Sequence, residues 1–370
     1  MDNTTIEVSV FISCYNNADY VAQAIESVLS QKTQYKYEIV VCDDASQDNS
    51  KDIILEYQRK YPEIIRAIIY KENIGLIQNF LNFIKIVRGK FVAFCEADDW
   101  WVNDNKIEEQ VTFLINNPDY TLVFGKNYIY HQVAKELVKH PLPTPEFTNN
   151  IEFLMSHLNV FFIHTSTVMT TLYALKSFTL VIENYKRKLF AWDYPFFFFA
   201  PSQGKIKFLN TVYSVNRKIK TSITSQINTD QQLFDFFYKN TYNCYFYLMK
   251  KINYPQEIKQ FLYYKYSRNC ILYGIKLDNI KLEKRGVFLL ERLGYNIAII
   301  NCYVDLGFEL YNKGKIEQAM IYSKEFRISL DILRTLKVIS IKNKILYYSF
   351  KYVLDKVKHN KLLIKLFFKG

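Results

Sequence analysis

Four times within the first hundred residues, a short apolar run stops at polar side chains and gives way to a stretch with helical spacing. The runs are residues 8–13, 38–42, 64–70 and 91–95, and helical patterns cover 18–30, 50–61 and 76–87 between them. Parallel strands need crossovers of about a dozen residues, which helices of this length supply. The expected fold class is therefore α/β, an open, mostly parallel sheet flanked by helices. In such sheets the ligand crevice lies outside the carboxyl ends of the strands. The residues that end each run are the first candidates for a site.

The fourth run, Phe91 to Cys95, follows Gly89 and ends in Glu96, Ala97, Asp98 and Asp99 ahead of Trp100 and Trp101. Carboxylates this close at a buried strand end repel one another unless a cation lies between them. A hard divalent ion with oxygen ligands is the natural partner. The alternative is an acidic turn capping the helix that starts near Asn105. The second run ends in Asp43-Asp44-Ala45-Ser46. This pair either accepts hydrogen bonds from a base or ribose or forms an Asx turn and helix cap.

Further along, residues 106–116 read as a helix, 120–124 as a strand and the proline-rich 139–150 as a loop around the site. Residues 158–170 place a hydroxyl-rich centre in an apolar stretch, and His164 there suits either acid–base chemistry or a structural or acceptor contact. Asp193 is a lone carboxylate in an aromatic run, between Trp192 and Tyr194-Pro195. Burial lifts a carboxyl towards the range useful to a base at neutral pH. The same residue also suits a helix N-cap, with proline in the first turn. Arg217, Lys218 and Lys220 would suit a diphosphate leaving group or form a solvated basic loop.

Beyond about residue 226 strand signals vanish, so the expected division is 1–225 and a helical region 226–370. In that region Tyr303, Leu306, Gly307, Gly314 and Ala319 match one tetratricopeptide-type hairpin. Lys344, Lys351, Lys358 and Lys365 recur every seven residues along a helix whose other face is apolar. Such a helix either lies on an anionic membrane surface or docks on its own protein.

The formal charge of +12 points to an anionic partner, but the last forty residues carry ten Lys or Arg against two Asp. Nucleic acid has only this charge in its favour and is not expected. No apolar run approaches the ~20 residues of a membrane span. The six cysteines lack metal-type spacing, and residues 1–7 lack the features of a secretory signal. Reduced thiols and a cytoplasmic location are expected, with a peripheral position on the inner face of the membrane if the basic helix binds lipid.

Taken in order, Ile12-Ser13-Cys14-Tyr15-Asn16, Val40 to Asp48, Asn73-Ile74-Gly75 and Cys95 to Trp101 resemble the family 2 glycosyltransferases with the GT-A fold. The resemblance covers roughly the first 125 residues and continues more weakly to about residue 225. It implies that Ser13, Tyr15, Asn16, Asp43, Asn73 and Gly75 line the site of a nucleotide-sugar donor, with Asp44 holding the uracil or other base. Glu96-Ala97-Asp98 corresponds to the family's Asp-X-Asp motif, whose second carboxylate contacts Mn²⁺ or Mg²⁺ bridging the donor diphosphate. With Glu in the first place, Asp98 is the expected metal contact and Asp99 the second. Trp192-Asp193 stands where the family has its Glu-Asp or Gly-Asp motif, making Asp193 the expected catalytic base. Arg217 falls where the family often has Tyr-Arg followed by His; here Asn216 precedes it and no His follows nearby. The implied activity is inverting transfer from a nucleotide sugar, a UDP-sugar first, to a hydroxyl of a glycan or lipid-linked glycan. The alternative is a GT-A-fold protein that binds nucleotide or glycan without chemistry.

Overall fold

The computed structural model describes residues 5–140, 147–185, 187, 189–220, 222 and 227–293. It opens with β1 (Val8–Cys14), α1 (Val21–Leu29), β2 (Tyr37–Asp43), α2 (Ser50–Lys60), β3 (Ile65–Ile69), α3 (Gly75–Ile86) and β4 (Phe91–Phe94). The alternation expected from the apolar runs is thus present element by element. These strands lie in the order β3-β2-β1-β4, all parallel. Val8 pairs with both Tyr37 and Phe91, so the polar ends of β1, β2 and β4 arrive at one edge.

The sheet then becomes mixed. There follow β5 (Trp100–Trp101), α4 (Lys106–Asn116), β6 (Tyr120–His131), β7 (Glu136–Lys139), α5 (Asn150–Asn159), β8 (Met169–Thr171), α6 (Leu172–Ile182), α7 (Asp193–Phe199) and β9 (Lys205–Lys218). Strand β8 runs antiparallel to β4 and β6, β9 parallel to β6, and β5 antiparallel to β9. The basic residues Arg217 and Lys218 belong to β9 and not to a solvated loop. Continued pairing with β6, Tyr130 to Arg217 and His131 to Lys218, keeps the chain extended there and buries Arg217.

Alternation with period two divides β1 between two cores. Val8, Val10 and Ile12 pack with Val21, Ala24, Ile25 and Val28 of α1 and with Ile107, Val111 and Leu114 of α4. The spacing along α1 gives that helix a single apolar stripe. On the other face Phe11 stacks on Phe83 of α3 with centroids 4.3 Å apart. Trp192 extends this layer, lying parallel to Phe80 at 4.0 Å and against Phe94 of β4 at 4.8 Å. It is a wedge that fixes the start of α7 beside the end of β4.

The chain divides into two compact units, Met1–Lys259 and Gln260–Gly370. Helix α8 (Asp230–Leu233), the π-helical turn Phe234–Asn240 and α9 (Thr241–Lys251) fall in the first. Helix α10 (Gln256–Lys276) runs into the second, where α11 (Ile280–Arg292) packs back on it: a Cβ at Gly286 would meet the Ser267 carbonyl oxygen at 2.5 Å. The expected hairpin at 303–319 and the basic helix at 344–365 lie outside the described residues. No helix among the described residues is long and apolar enough to cross a membrane.

Candidate active site

At the carboxyl edge of β1 and β2, two loops are knitted together. Asn16 and Ala45 both adopt left-handed backbone, with φ of 54° and 59°. Asn16 N donates to Ser46 Oγ at 2.9 Å, and Gln47 N donates to Asn16 Oδ1 at 2.7 Å. Tyr15 stands exposed beside them and Ser13 is half-buried, its carbonyl accepting from Ala97 N at 3.3 Å. The acidic pair at the end of β2 splits its work. Asp44 accepts from Ile74 N at 2.7 Å and Gly75 N at 2.9 Å, capping α3. Gly75 has φ +81°, which glycine tolerates and which turns its N–H back to Asp44. Asn73, just before, is exposed. Asp43 is fully buried: Oδ2 accepts from Ser46 N at 3.1 Å, and Oδ1 has no hydrogen-bond partner. A buried, unsatisfied carboxylate oxygen is costly unless something is brought to it.

The acidic turn comes next along the same edge. Asp99 N donates to Glu96 O at 3.0 Å, closing Glu96, Ala97, Asp98 and Asp99 into a tight turn, with Ala97 buried. Strand β5 fixes it from outside. Trp100 pairs with Val215 and Trp101 with Ser214, and the same antiparallel register carried back sets Asp99 opposite Asn216 and Asp98 opposite Arg217. Asp99 Oδ1 accordingly accepts from Asn216 Nδ2 at 3.2 Å and Arg217 N at 3.0 Å. Its Oδ2 accepts from Ser166 Oγ at 2.7 Å, with His164 Nε2 3.5 Å away. Both oxygens of Asp99 are therefore occupied by the protein. The Asp98 carbonyl accepts from Arg217 Nε at 2.8 Å, and its carboxylate takes a hydrogen bond from its own backbone N–H.

Arg217 makes one hydrogen bond within the protein from each guanidinium nitrogen. Its guanidinium lies between the rings of Tyr20 (4.6 Å) and Trp100 (4.5 Å) and donates to Gln132 Oε1 at 2.7 Å and to Gln23 Oε1. Its main-chain N–H and Nε–H tie β9 to the acidic turn. Burial, followed by the neighbouring carboxylates, pushes Glu96 well above the ordinary range, and burial with the Asp99 charge raises Asp98. Glu96 feels the charges of Asp99, Asp98 and Asp193, so four carboxylates share one locality. His164 is pushed by burial to about 3 and stays neutral.

Asp193 is the first residue of α7, with Trp192 in the cap position. It does not cap the helix in the usual way: Oδ1 accepts from the next residue, Tyr194 N, at 2.9 Å, and Oδ2 from Thr165 Oγ1 at 3.1 Å. Burial raises its carboxyl, and these two bonds, with one from its own backbone N–H, partly oppose the rise. The short 3-10 turn Thr165–Thr167 thus touches both Asp193 and Asp99, and Glu96 N donates to Ser166 Oγ at 3.3 Å. Thr165, Ser166 and Trp192 carry no role in the sequence reading. The signal for the first two was the hydroxyl cluster inside the apolar stretch 158–170.

Among the described residues, no three His, Cys, Asp or Glu side chains form a cage for a metal ion. Half-buried Asp98, whose ionised form burial and the Asp99 charge disfavour, fits Mn²⁺ or Mg²⁺ held through one or two carboxylates and a substrate's phosphates.

Residues 9–177 match the family model described as Glycosyl transferase family 2. An uncharacterized protein of Mycobacterium tuberculosis is 35% identical over 136 residues, 36% of this chain and 39% of its own length. The glucosyltransferase WfaP of Escherichia coli, named for UDP-Glc and α-D-GlcNAc-diphosphoundecaprenol, is 37% identical over 109 residues, 29% of this chain and 41% of its own. The chain thus spans well under half the length of these relatives. Among solved structures, residues 1–349 of TarS from S. aureus, in complex with UDP-GlcNAc, superpose with a TM-score of 0.56 at 16% identity, covering 87% of this chain and 91% of that one. The fold is GT-A, a mixed, mostly parallel sheet flanked by helices with a helical C-terminal region. Over residues 9–177 this chain is similar to the family 2 glycosyltransferases.

Proposed function

We propose that this chain transfers a sugar from a UDP-sugar to a hydroxyl of a glycan or lipid-linked glycan, with inversion at the anomeric carbon. The observation that carries the reading is the meeting of Asp193 with the acidic turn through the adjacent residues Thr165 and Ser166. Asp193 takes the acceptor's proton as its oxygen attacks, and burial keeps this carboxyl basic enough for the task. The loops of Tyr15, Asn16, Asp43 and Asp44 receive the nucleoside, the open Asp43 oxygen being the one that lacks a partner. Asp98 would hold Mn²⁺ or Mg²⁺, and the ion, when bound, would supply positive charge to offset that growing on a departing diphosphate. Glu96 stands beside it, and Asp99 and Arg217 hold the turn in shape. WfaP's named substrates and the UDP-GlcNAc bound to TarS support a UDP-sugar and a lipid-linked acceptor here.

Asp193→Asn is expected to bind UDP-sugar normally and lose about 10²- to 10⁴-fold in transfer rate. Asp98→Ala is expected to lose Mn²⁺-dependent binding. Titration calorimetry and UDP release measure the two separately. Wild-type transfer by both variants would refute the assignment, and a purely binding protein would release no UDP at all.

A further inference from the structure

Thr165 and Ser166 are neighbours in the chain, yet their hydroxyls serve different carboxylates, Asp193 at 3.1 Å and Asp99 at 2.7 Å. We propose that Thr165 is a positioning residue for Asp193, and that the turn Thr165–Thr167 sets where the base stands relative to the acidic turn. This rests on the reading of Asp193 as the base.

The turn is braced from behind. Gln110 Nε2 donates to Thr167 O at 2.9 Å, Lys106 Nζ to Val168 O at 3.3 Å, and Thr167 Oγ1 to His164 O at 2.7 Å. Strand β8 begins two residues later and is paired on both sides. Thr165 and Ser166 are buried, so water does not compete for their hydroxyls. With one oxygen of Asp193 held by Tyr194 N and the other by Thr165, the carboxylate cannot rotate without losing a bond. With about four acceptor sites, the carboxylate still keeps one for an incoming hydroxyl beside its bonds to Tyr194 N, Thr165 and its own N–H. Among the described residues, the titratable groups that feel Asp193 are Glu96 of the acidic turn, Tyr194 of its own helix and Tyr245 of α9. Among the described residues, Thr165 supplies its side-chain hydrogen bond.

Thr165→Val keeps the shape and removes the hydroxyl, and Thr165→Ser restores a donor. In protein ¹³C-labelled at aspartate carboxyls, the Asp193 resonance is assigned by its absence from Asp193→Asn. Thr165→Val is expected to titrate Asp193 at higher pH than wild type, because a bond to the ionised form is gone. Thr165→Ser is expected to reverse this, with melting temperatures alike in all three at a pH low enough to protonate Asp193, where the lost bond to its ionised form no longer counts. With UDP-glucose and Mn²⁺ as the probe, kcat for UDP release in Thr165→Val falls about 10- to 100-fold at unchanged KM. An unmoved titration, an unmoved kcat, or a rise in KM matching the fall in kcat each overturns the proposal. Should the wild type release no UDP from UDP-glucose, the titration decides alone. Full turnover by Asp193→Asn would instead remove the base assignment, an outcome the titration does not produce.

Discussion

Lys106 is a cation buried behind the acidic turn, its ammonium over the Trp101 ring at 4.3 Å and donating to Gln110 Oε1 at 2.8 Å. Burial lowers its pKa to about 7, against roughly 10.4 in an unfolded chain. Between those values the unfolded state binds the extra proton, so this residue makes stability rise with pH. Lys106→Met should therefore flatten stability relative to wild type between pH 7 and about 8.5, below the range where buried thiols begin to count. Denaturant titrations across that window measure it. Neither this burial nor the engagement of Arg217 was legible in the sequence. A lysine in the first turn of an amphipathic helix reads as solvated, and a run of basic residues reads as a phosphate site. Asp98, Asp99 and Asp193 were legible as a cluster and a lone acid, because carboxylates in apolar surroundings demand an explanation. That Asp99 is bound up within the protein depends on contacts 67 and 117 residues away in the chain.

At the scale of elements, the parallel β/α half could be read from the sequence because each run is long enough to show its period. Strand β5 could not, since two residues have no periodicity. Yet its pairing with β9 sets Asn216 and Arg217 against the acidic turn. Helix α7 depends on the Trp192 wedge between Phe80 and Phe94 in the same way. Trp192→Ala should cost about 3–5 kcal/mol and lower transfer by shifting Asp193, while Trp192→Phe should keep most of both. Chemical denaturation paired with UDP release at matched folded fraction checks this. A stable but inactive Trp192→Ala, or an active but unstable one, would separate packing from positioning.

For the whole molecule, ligand binding and stability are linked, because a ligand that binds only the folded chain raises its melting temperature. UDP with Mn²⁺ should stabilise the wild type by about 2.7 kcal/mol at a hundred times its Kd. Either component alone should do less, and Asp98→Asn should lose the synergy; differential scanning fluorimetry reads all four. Phosphates often rest on the partial positive charge where a helix begins. In this chain the first turn of α3 is already satisfied by Asp44, so that resting place is taken by a side chain of the protein itself. On the function proposed above, more of the task of neutralising the diphosphate passes to a dissociable ion. Retention of the nucleotide would then follow the free divalent-ion concentration around the protein, and chelation would act as an off-switch for occupancy before it ever touched the chemistry.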